Sequence, residues 1–255
     1  MAFRQTRYDE EKPTVKKVDY NRYKGDWFQY AFLPGARLGV MMQRLDSLAV
    51  RARYSALDEA GRFKVSNTEW QPGHVLREAS ALGYRDPRYP DDQGKLMVNF
   101  VQLLDNAAGT YWILELDQSS DETEPYQWSV VGSRDNRYLW VLVREPLLKD
   151  PATGELHSSS LSYDHYTKLI QSLDERYRYT DRADADNRPL LDRMVLTPTD
   201  REIYQQLQLN KLKLAKHSPE DPPKPDSKIW PLREQTPADS AEDTWKGFLN
   251  MLRGR

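Results

Sequence analysis

Apolar and polar residues alternate in short runs through the first 144 residues, with the period of two that is typical of strands with one dry and one wet face. In one such run, Val50, Ala52 and Tyr54 alternate with arginine and serine side chains. The runs end in short segments rich in Asp, Asn, Pro and Gly, which are turn-forming residues. We predict eight strands, at residues 27–33, 49–56, 62–70, 75–85, 95–103, 111–117, 126–132 and 137–144. Eight short strands without helices between them predict an all-β fold, either an antiparallel up-and-down barrel or a sandwich.

Past residue 146 the apolar period changes to that of a helix. Ser162 can cap this helix, and its apolar stripe consists of Tyr163, Tyr166, Leu169, Ile170, Leu173 and Tyr177. A helix that follows a barrel must bury such a stripe, and the barrel wall is the nearest apolar surface. We therefore expect the helix to pack against the outside of the barrel.

The last third of the chain has a different organisation. A capping box at residues 199–202 begins a second helix, which we expect to end near Lys216. A proline-rich linker follows at residues 218–225. A short terminal helix then presents Trp245, Phe248, Leu249 and Leu252 on one face. These features predict an N-terminal arm at residues 1–17, a barrel with its packing helix at 18–180, and a C-terminal extension at 181–255.

Composition narrows the classes of function. The 255 residues carry a net charge of −2 with both signs interspersed, which is unlike a nucleic-acid footprint. Mean hydropathy is −0.83, no apolar run is long enough to span a membrane, and the first eight residues lack the apolar core of a signal peptide. There is no cysteine, and the four histidines lack metal-ligand spacing, so we expect neither a metal site nor a cofactor. The missing cysteines favour a reducing or organellar compartment, peripheral to a membrane, but do not identify it.

Three segments resemble the signature regions of the lipocalin family, in particular its bacterial outer-membrane and apolipoprotein-D-like branch. The first is residues 18–28 with Gly25 and Trp27, the second is residues 111–117 with the strand from Tyr126, and the third is residues 135–146 with Arg144. The resemblance covers residues 17–179. It implies an eight-stranded calycin barrel in which Trp27 plugs the closed end and Arg144 packs across its ring. Gly25, Trp27 and Arg144 are then structural residues.

The chain departs from the family pattern in three places. Residues 118–125 intervene after the second region, which implies a remodelled closed end. The frequent family disulfide cannot form without cysteine. The region after residue 179 has no counterpart in a minimal lipocalin.

The resemblance implies binding of a small hydrophobic molecule such as a lipid, fatty acid, sterol or pigment. Strand parity and apolar alternation give the residues expected to line the cavity: Tyr54, Leu96, Val98, Phe100, Trp112, Leu114, Trp128, Tyr138 and Trp140. The alternative is that so many rings fill the barrel as an ordinary core.

Two further functional hypotheses remain beside the carrier. Catalysis would need a nucleophile and base or a phosphate loop, and the sequence shows neither, so we expect no catalytic residues and no enzyme. The second hypothesis is an accessory subunit of a larger, membrane-associated complex. Its docking residues would be Trp245, Phe248, Leu249 and Leu252, which could bind a protein partner, a membrane surface or the chain's own barrel.

Overall fold

Eight consecutive strands close into an antiparallel barrel in the computed structural model, which describes residues 13–34, 47–71, 75–99, 108–118, 121–181 and 187–207. Each strand pairs with the next, and β1 also pairs with β8. The strands are β1 (Gly25–Phe32), β2 (Leu48–Tyr54), β3 (Phe63–Gln71), β4 (Val75–Arg85), β5 (Lys95–Asn99), β6 (Gly109–Leu116), β7 (Trp128–Gly132) and β8 (Leu139–Val143). The prediction of an eight-stranded antiparallel up-and-down barrel with a C-terminal helix is confirmed.

The barrel has two unlike ends. We call the end where β1 begins the closed end; the short helix α1 (Tyr20–Tyr23), capped by the Asp19 carboxylate, lies there before β1. The connections from β2 to β3, β4 to β5 and β6 to β7 are at the same end because the strands alternate in direction. The remaining part of the barrel, toward the other ends of the strands, is the open half.

Helix α2 (Tyr163–Tyr177) covers one side of the barrel wall. Its N-cap is Ser162, whose hydroxyl accepts from the His165 amide, as the sequence predicts. The predicted stripe faces the wall except at Tyr163, which is 55% exposed. Tyr163 is the first residue of the helix and packs on the Tyr166 ring at the edge of the contact, with centroids 5.8 Å apart. A two-stranded ribbon, β9 (Leu148–Lys149) and β10 (Leu156–His157), connects β8 to this helix.

The chain beyond α2 returns to the barrel and joins its wall. A 3₁₀ turn (Tyr179–Asp181) and α3 (Leu190–Arg193) lead to β11 (Val195–Leu196), which pairs antiparallel with residues 31–32 of β1. On its other side, the Ala49 amide of β2 donates to the Pro198 carbonyl at 2.9 Å. Direct pairing of β1 with β2 runs over residues 25–28, so β11 lies between these strands toward the open half. A helix follows at 201–207. Its N-cap is Asp200, one residue later than the capping box predicts, because the Asp200 carboxylate accepts from the Ile203 amide.

Two hydrophobic cores lie on opposite faces of the sheet. The inner core fills the barrel and includes Trp27, Tyr54, Phe63, Val65, Leu96, Val98, Ile113, Leu116, Val131 and Leu142. The outer core lies between the wall and the C-terminal helices and includes Tyr30, Trp112, Leu114, Trp128, Val130, Val141, Val143, Tyr166, Leu169, Ile170 and Leu173. Strands β6, β7 and β8 contribute apolar side chains to both, so they are buried on both faces.

Candidate ligand site inside the barrel

Trp27 seals the closed end. It is completely buried, and its indole N–H donates to the Tyr23 carbonyl at 2.7 Å. The Arg144 guanidinium lies 3.9 Å from the ring centroid and donates to backbone carbonyls around it, including that of Asp26 at 2.7 Å. Gly25 has a φ of 100°, where a side chain would be strained, and a Cβ there would lie 3.4 Å from Arg144 Nη1. The geometry therefore has the Trp27–Arg144 arrangement that the resemblance implies.

Beside this seal the barrel is filled. Tyr54, Val65 and Ala81 lie opposite one another on β2, β3 and β4, and each is at most 6% exposed. Their side chains point inward, since Tyr54 and Val65 pack in the inner core with Trp27. No ligand has room in this layer.

The next inward layer is more accessible. Trp27 pairs with Ala52, Ala52 with Asn67, and Asn67 with Ala79, so these four residues lie in one row on the inner face. Accessibility rises along the row: Trp27 is buried, Ala52 and Asn67 are half-buried, and Ala79 is exposed. Because strands of a closed barrel are tilted, such a row climbs from one end toward the other. The inward side chains of this row are therefore not completely covered by the rest of the barrel.

Tyr111 and Trp140 are further inward residues that stay partly accessible. Tyr111 pairs with the inward Leu96, and Trp140 packs against the inner core, yet both are only half-buried. The Trp140 ring stacks on Tyr138, with centroids 5.5 Å apart and planes 9° from parallel. These rings give the open half an apolar lining.

A chain of four hydroxyl groups crosses the bottom of the open half. The Tyr54 and Tyr111 hydroxyls are 2.7 Å apart, those of Tyr111 and Tyr23 are 3.0 Å apart, and Tyr23 lies 3.3 Å from Ser129 Oγ. Burial is the largest cause that raises the pKa of Tyr23, Tyr54 and Tyr111 above the ordinary phenol value. The three phenols are therefore neutral hydrogen-bonding groups at ordinary pH.

Charged and amide side chains lie farther along β3 and β4. Glu69 and Arg77 face each other across the strands, with Arg77 Nη1 3.8 Å from Glu69 Oε1. The Gln71 amide donates to the same Glu69 oxygen at 2.8 Å. On β1, the Gln29 amide donates to the Thr197 hydroxyl at 2.7 Å, and both residues are buried. The entrance thus contains an ion pair whose charges offset each other. Thr197, which directly follows β11, makes a polar contact to the barrel wall.

The structure separates the predicted lining residues into two groups. Tyr54, Leu96 and Val98 belong to the inner core, Trp140 packs against it, and Tyr138 stacks on Trp140. Phe100 lies outside the described residues. The inward orientation predicted for Trp112, Leu114 and Trp128 is wrong, because all three pack in the outer core under the C-terminal helices.

The error has a physical cause. Where α2 covers the wall, the outer face of a strand is as apolar as the inner face, and hydrophobicity no longer distinguishes them. A bulge between Ile113 and Glu115 also shifts the register of β6 against β7. The pairing of Trp112 with Lys95, whose ammonium lies 4.9 Å from the Trp112 ring, fixes the outward orientation.

Sequence reasoning missed Asn67, Tyr111, Tyr23 and Ser129 as interior polar groups. Tyr23 lies in the first signature segment, two residues before Gly25, and this proximity along the chain was a usable signal for its position at the seal. Asn67 and Ser129 occupy inward positions of strands, where an alternation pattern expects apolar residues, so no sequence signal identifies them.

The remaining predictions concern partners and metals. Trp245, Phe248, Leu249 and Leu252 lie outside the described residues, so docking through the C-terminal tail stays a prediction. Within the part of the chain that the structure describes, no group of three or more acidic or histidine side chains could hold a metal ion. No helix of that part is both long enough and apolar enough to span a membrane.

Comparisons with known proteins show several similarities. A family model described as "Lipocalin-like domain" matches residues 18–173. Temperature-induced lipocalin-1 of Arabidopsis thaliana is 29% identical over 151 residues, which are 57% of this chain and 73% of that protein. Lobster apocrustacyanin A1 is 16% identical with a TM-score of 0.44, over 74% of this chain and 84% of that chain. H1 crustacyanin of the lobster Homarus americanus is 15% identical with a TM-score of 0.43, over 78% and 96%.

Proposed function

Because the chain belongs to the lipocalin family, we propose that it binds and carries a small hydrophobic molecule in the open half of its barrel. The ligand would lie above the Tyr54 layer and contact Ala52, Val98, Tyr111 and Trp140. Nothing in the proposal requires a chemical change of the ligand.

One observation carries this proposal: inward-facing Ala52, Tyr111 and Trp140 are half-buried, whereas the layer beneath them is closed. A filled barrel, which is the alternative, would bury inward side chains at every layer, since protein interiors are close-packed. An apolar ligand would remove from water the surfaces that these residues leave accessible, and each Å² of apolar surface buried contributes about 25 cal/mol.

A space-filling variant tests the proposal. Ala52→Trp places an indole in the interior, whereas Ser80→Trp places one on the exposed outer face of β4 and serves as the matched control. We expect calorimetric titration with dodecanol to give a dissociation constant at least about tenfold higher for Ala52→Trp, and unchanged for Ser80→Trp. Native mass spectrometry of protein from its source, without detergent, should also show a bound lipid or pigment. Equal affinities of Ala52→Trp and the unmodified protein, or no binding to either, would refute a carrier that uses this cavity.

A further inference from the structure

The hydroxyl chain at the bottom of the open half contains one more hydroxyl proton than its own hydrogen bonds require. Each of its four hydroxyls carries a single proton, and the three contacts within the chain consume three of them. Ser129 and Tyr54 are the ends of the chain, and neither makes a hydrogen bond to another described side chain or backbone group. Whichever way the three contacts are oriented, one of the four hydroxyls keeps a proton that the chain does not use. A buried donor without an acceptor is unfavourable.

Asn67 lies one inward layer above Tyr54 and has an unused hydrogen-bond acceptor. Its amide oxygen is buried and has no hydrogen-bond partner. Asn67 lies two residues from Val65, which pairs with Tyr54, so the two layers are about 7 Å apart along the strand. The Asn67 residue as a whole is half-buried at an inward position. Because the terminal torsion of an asparagine side chain is broad, rotation of the amide can turn this unused acceptor toward a ligand.

Charge around this layer argues against an ionised head group. Arg77 is the cationic side chain among the described inward residues of the open half. Its charge is already offset by Glu69, with Arg77 Nη1 3.8 Å from Glu69 Oε1. A carboxylate placed among the phenols would therefore lose its hydration without gaining a counter-charge, which is strongly unfavourable. A neutral group that both donates and accepts fits the donor of the hydroxyl chain and the acceptor of Asn67.

We propose that the barrel selects an apolar ligand whose buried end is a hydroxyl group, held between the Tyr54–Tyr111 phenols and the Asn67 amide. This selectivity rests on the proposed function, because it names the chemical class of the ligand for the same cavity. The apolar remainder of the ligand extends past Trp140 toward the entrance.

Three probes of equal chain length test the proposal: dodecanol, its methyl ether and dodecanoate at neutral pH. The alcohol donates and accepts, the ether only accepts, and the carboxylate is charged. We expect calorimetry to rank their affinities in that order. One neutral hydrogen bond corresponds to about a fivefold to tenfold difference between alcohol and ether, and the carboxylate should bind at least about tenfold more weakly than the alcohol.

Two variants assign the preference to the proposed groups. Tyr54→Phe combined with Tyr111→Phe removes both phenols and should make alcohol and ether affinities fall together. Asn67→Leu should abolish only the difference between alcohol and ether. The matched control combines Tyr30→Phe with Tyr166→Phe, whose rings pack on each other in the outer core with centroids 5.1 Å apart. The control should bind all three probes as the unmodified protein does.

The possible failures are distinguishable. If the protein binds all three probes equally, or prefers the carboxylate, the hydroxyl selectivity is refuted while the carrier function stands. If it binds none of them, the carrier function fails as well. Thermal unfolding establishes whether each variant is folded. Should the double phenylalanine variant be unfolded, Asn67→Leu still decides the matter, because an unchanged alcohol preference in that variant refutes the proposal.

Discussion

The closed end and the open half of the barrel use the same residue types in opposite ways. At the closed end the Trp27 indole is buried, hydrogen-bonded and covered by a guanidinium. In the open half Trp140 is half-buried and stacks only on Tyr138 among the described rings. The Trp27 indole and the Arg144 guanidinium are hydrogen-bonded within the closed end, whereas the open half leaves the Asn67 amide oxygen and a hydroxyl proton unmatched. The closed end thus stabilises the barrel through contacts within the chain, whereas the open half leaves groups accessible to the ligand that we propose.

The largest expected difference between the two regions is the cost of losing a tryptophan. Trp27→Ala should lower the free energy of unfolding by about 3–5 kcal/mol, as large-to-small changes in a packed core do. Trp140→Ala should lower the free energy of unfolding by about 1–2 kcal/mol, because the half-buried Trp140 ring has less apolar surface removed from water than the Trp27 ring. Urea denaturation of both variants without ligand measures the difference. Equal losses would mean that the open half is packed like the closed end.

A smaller effect should come from Arg144, which holds the closed end together through backbone carbonyls. Its guanidinium donates to the carbonyls of Tyr126, Asp26, Arg22, Tyr23 and Lys24 at 2.7–3.1 Å. Lysine keeps the charge but lacks the planar fork of donors, so Arg144→Lys should lower the free energy of unfolding by about 2–3 kcal/mol.

The control for this substitution is Arg137→Lys, at a side chain that is 55% exposed and paired with Asp135. It should change the free energy of unfolding by less than about 0.5 kcal/mol in the same denaturation experiment. If Arg144→Lys behaved like this control, charge alone rather than the geometry of the fork would account for the role of Arg144.

The smallest expected effect has the opposite sign. Asn67→Leu removes an amide oxygen that is buried without a partner, so the free energy of unfolding in the absence of ligand should stay unchanged or rise by up to about 1 kcal/mol. Thr68→Val, at the adjacent outward position, is the control and should have an effect within about 0.5 kcal/mol. A loss of more than about 1 kcal/mol for Asn67→Leu would show that the amide is already satisfied in the empty barrel.

The sequence predicted the closed end better than the open half, for a physical reason. Gly25 and Trp27 are neighbours along the chain, and Arg144 follows a run that is plainly a strand, so local patterns identify all three. The interior of the open half depends on which face each residue occupies. Alternation fails there, since α2 makes the outer face around Trp112 and Trp128 as apolar as the inner one.

The inserted strand β11 was equally beyond sequence reasoning. It contains two residues, and its position depends on pairing with a strand near the other end of the chain. No periodicity exists in so short an element, so only the pairing itself defines it.

That pairing also sets an order of events during biosynthesis. Gln29 and Thr197, which meet in the wall beside β11, are 168 residues apart along the chain. Chains emerge from the N-terminus first, and contacts between distant residues form late because they require closure of a long loop. We expect β1 and β8 to meet before β11 arrives, so that a nascent barrel has its base sealed while its rim is still incomplete. Translation must therefore pass Pro198 before the open half of the barrel acquires its final wall.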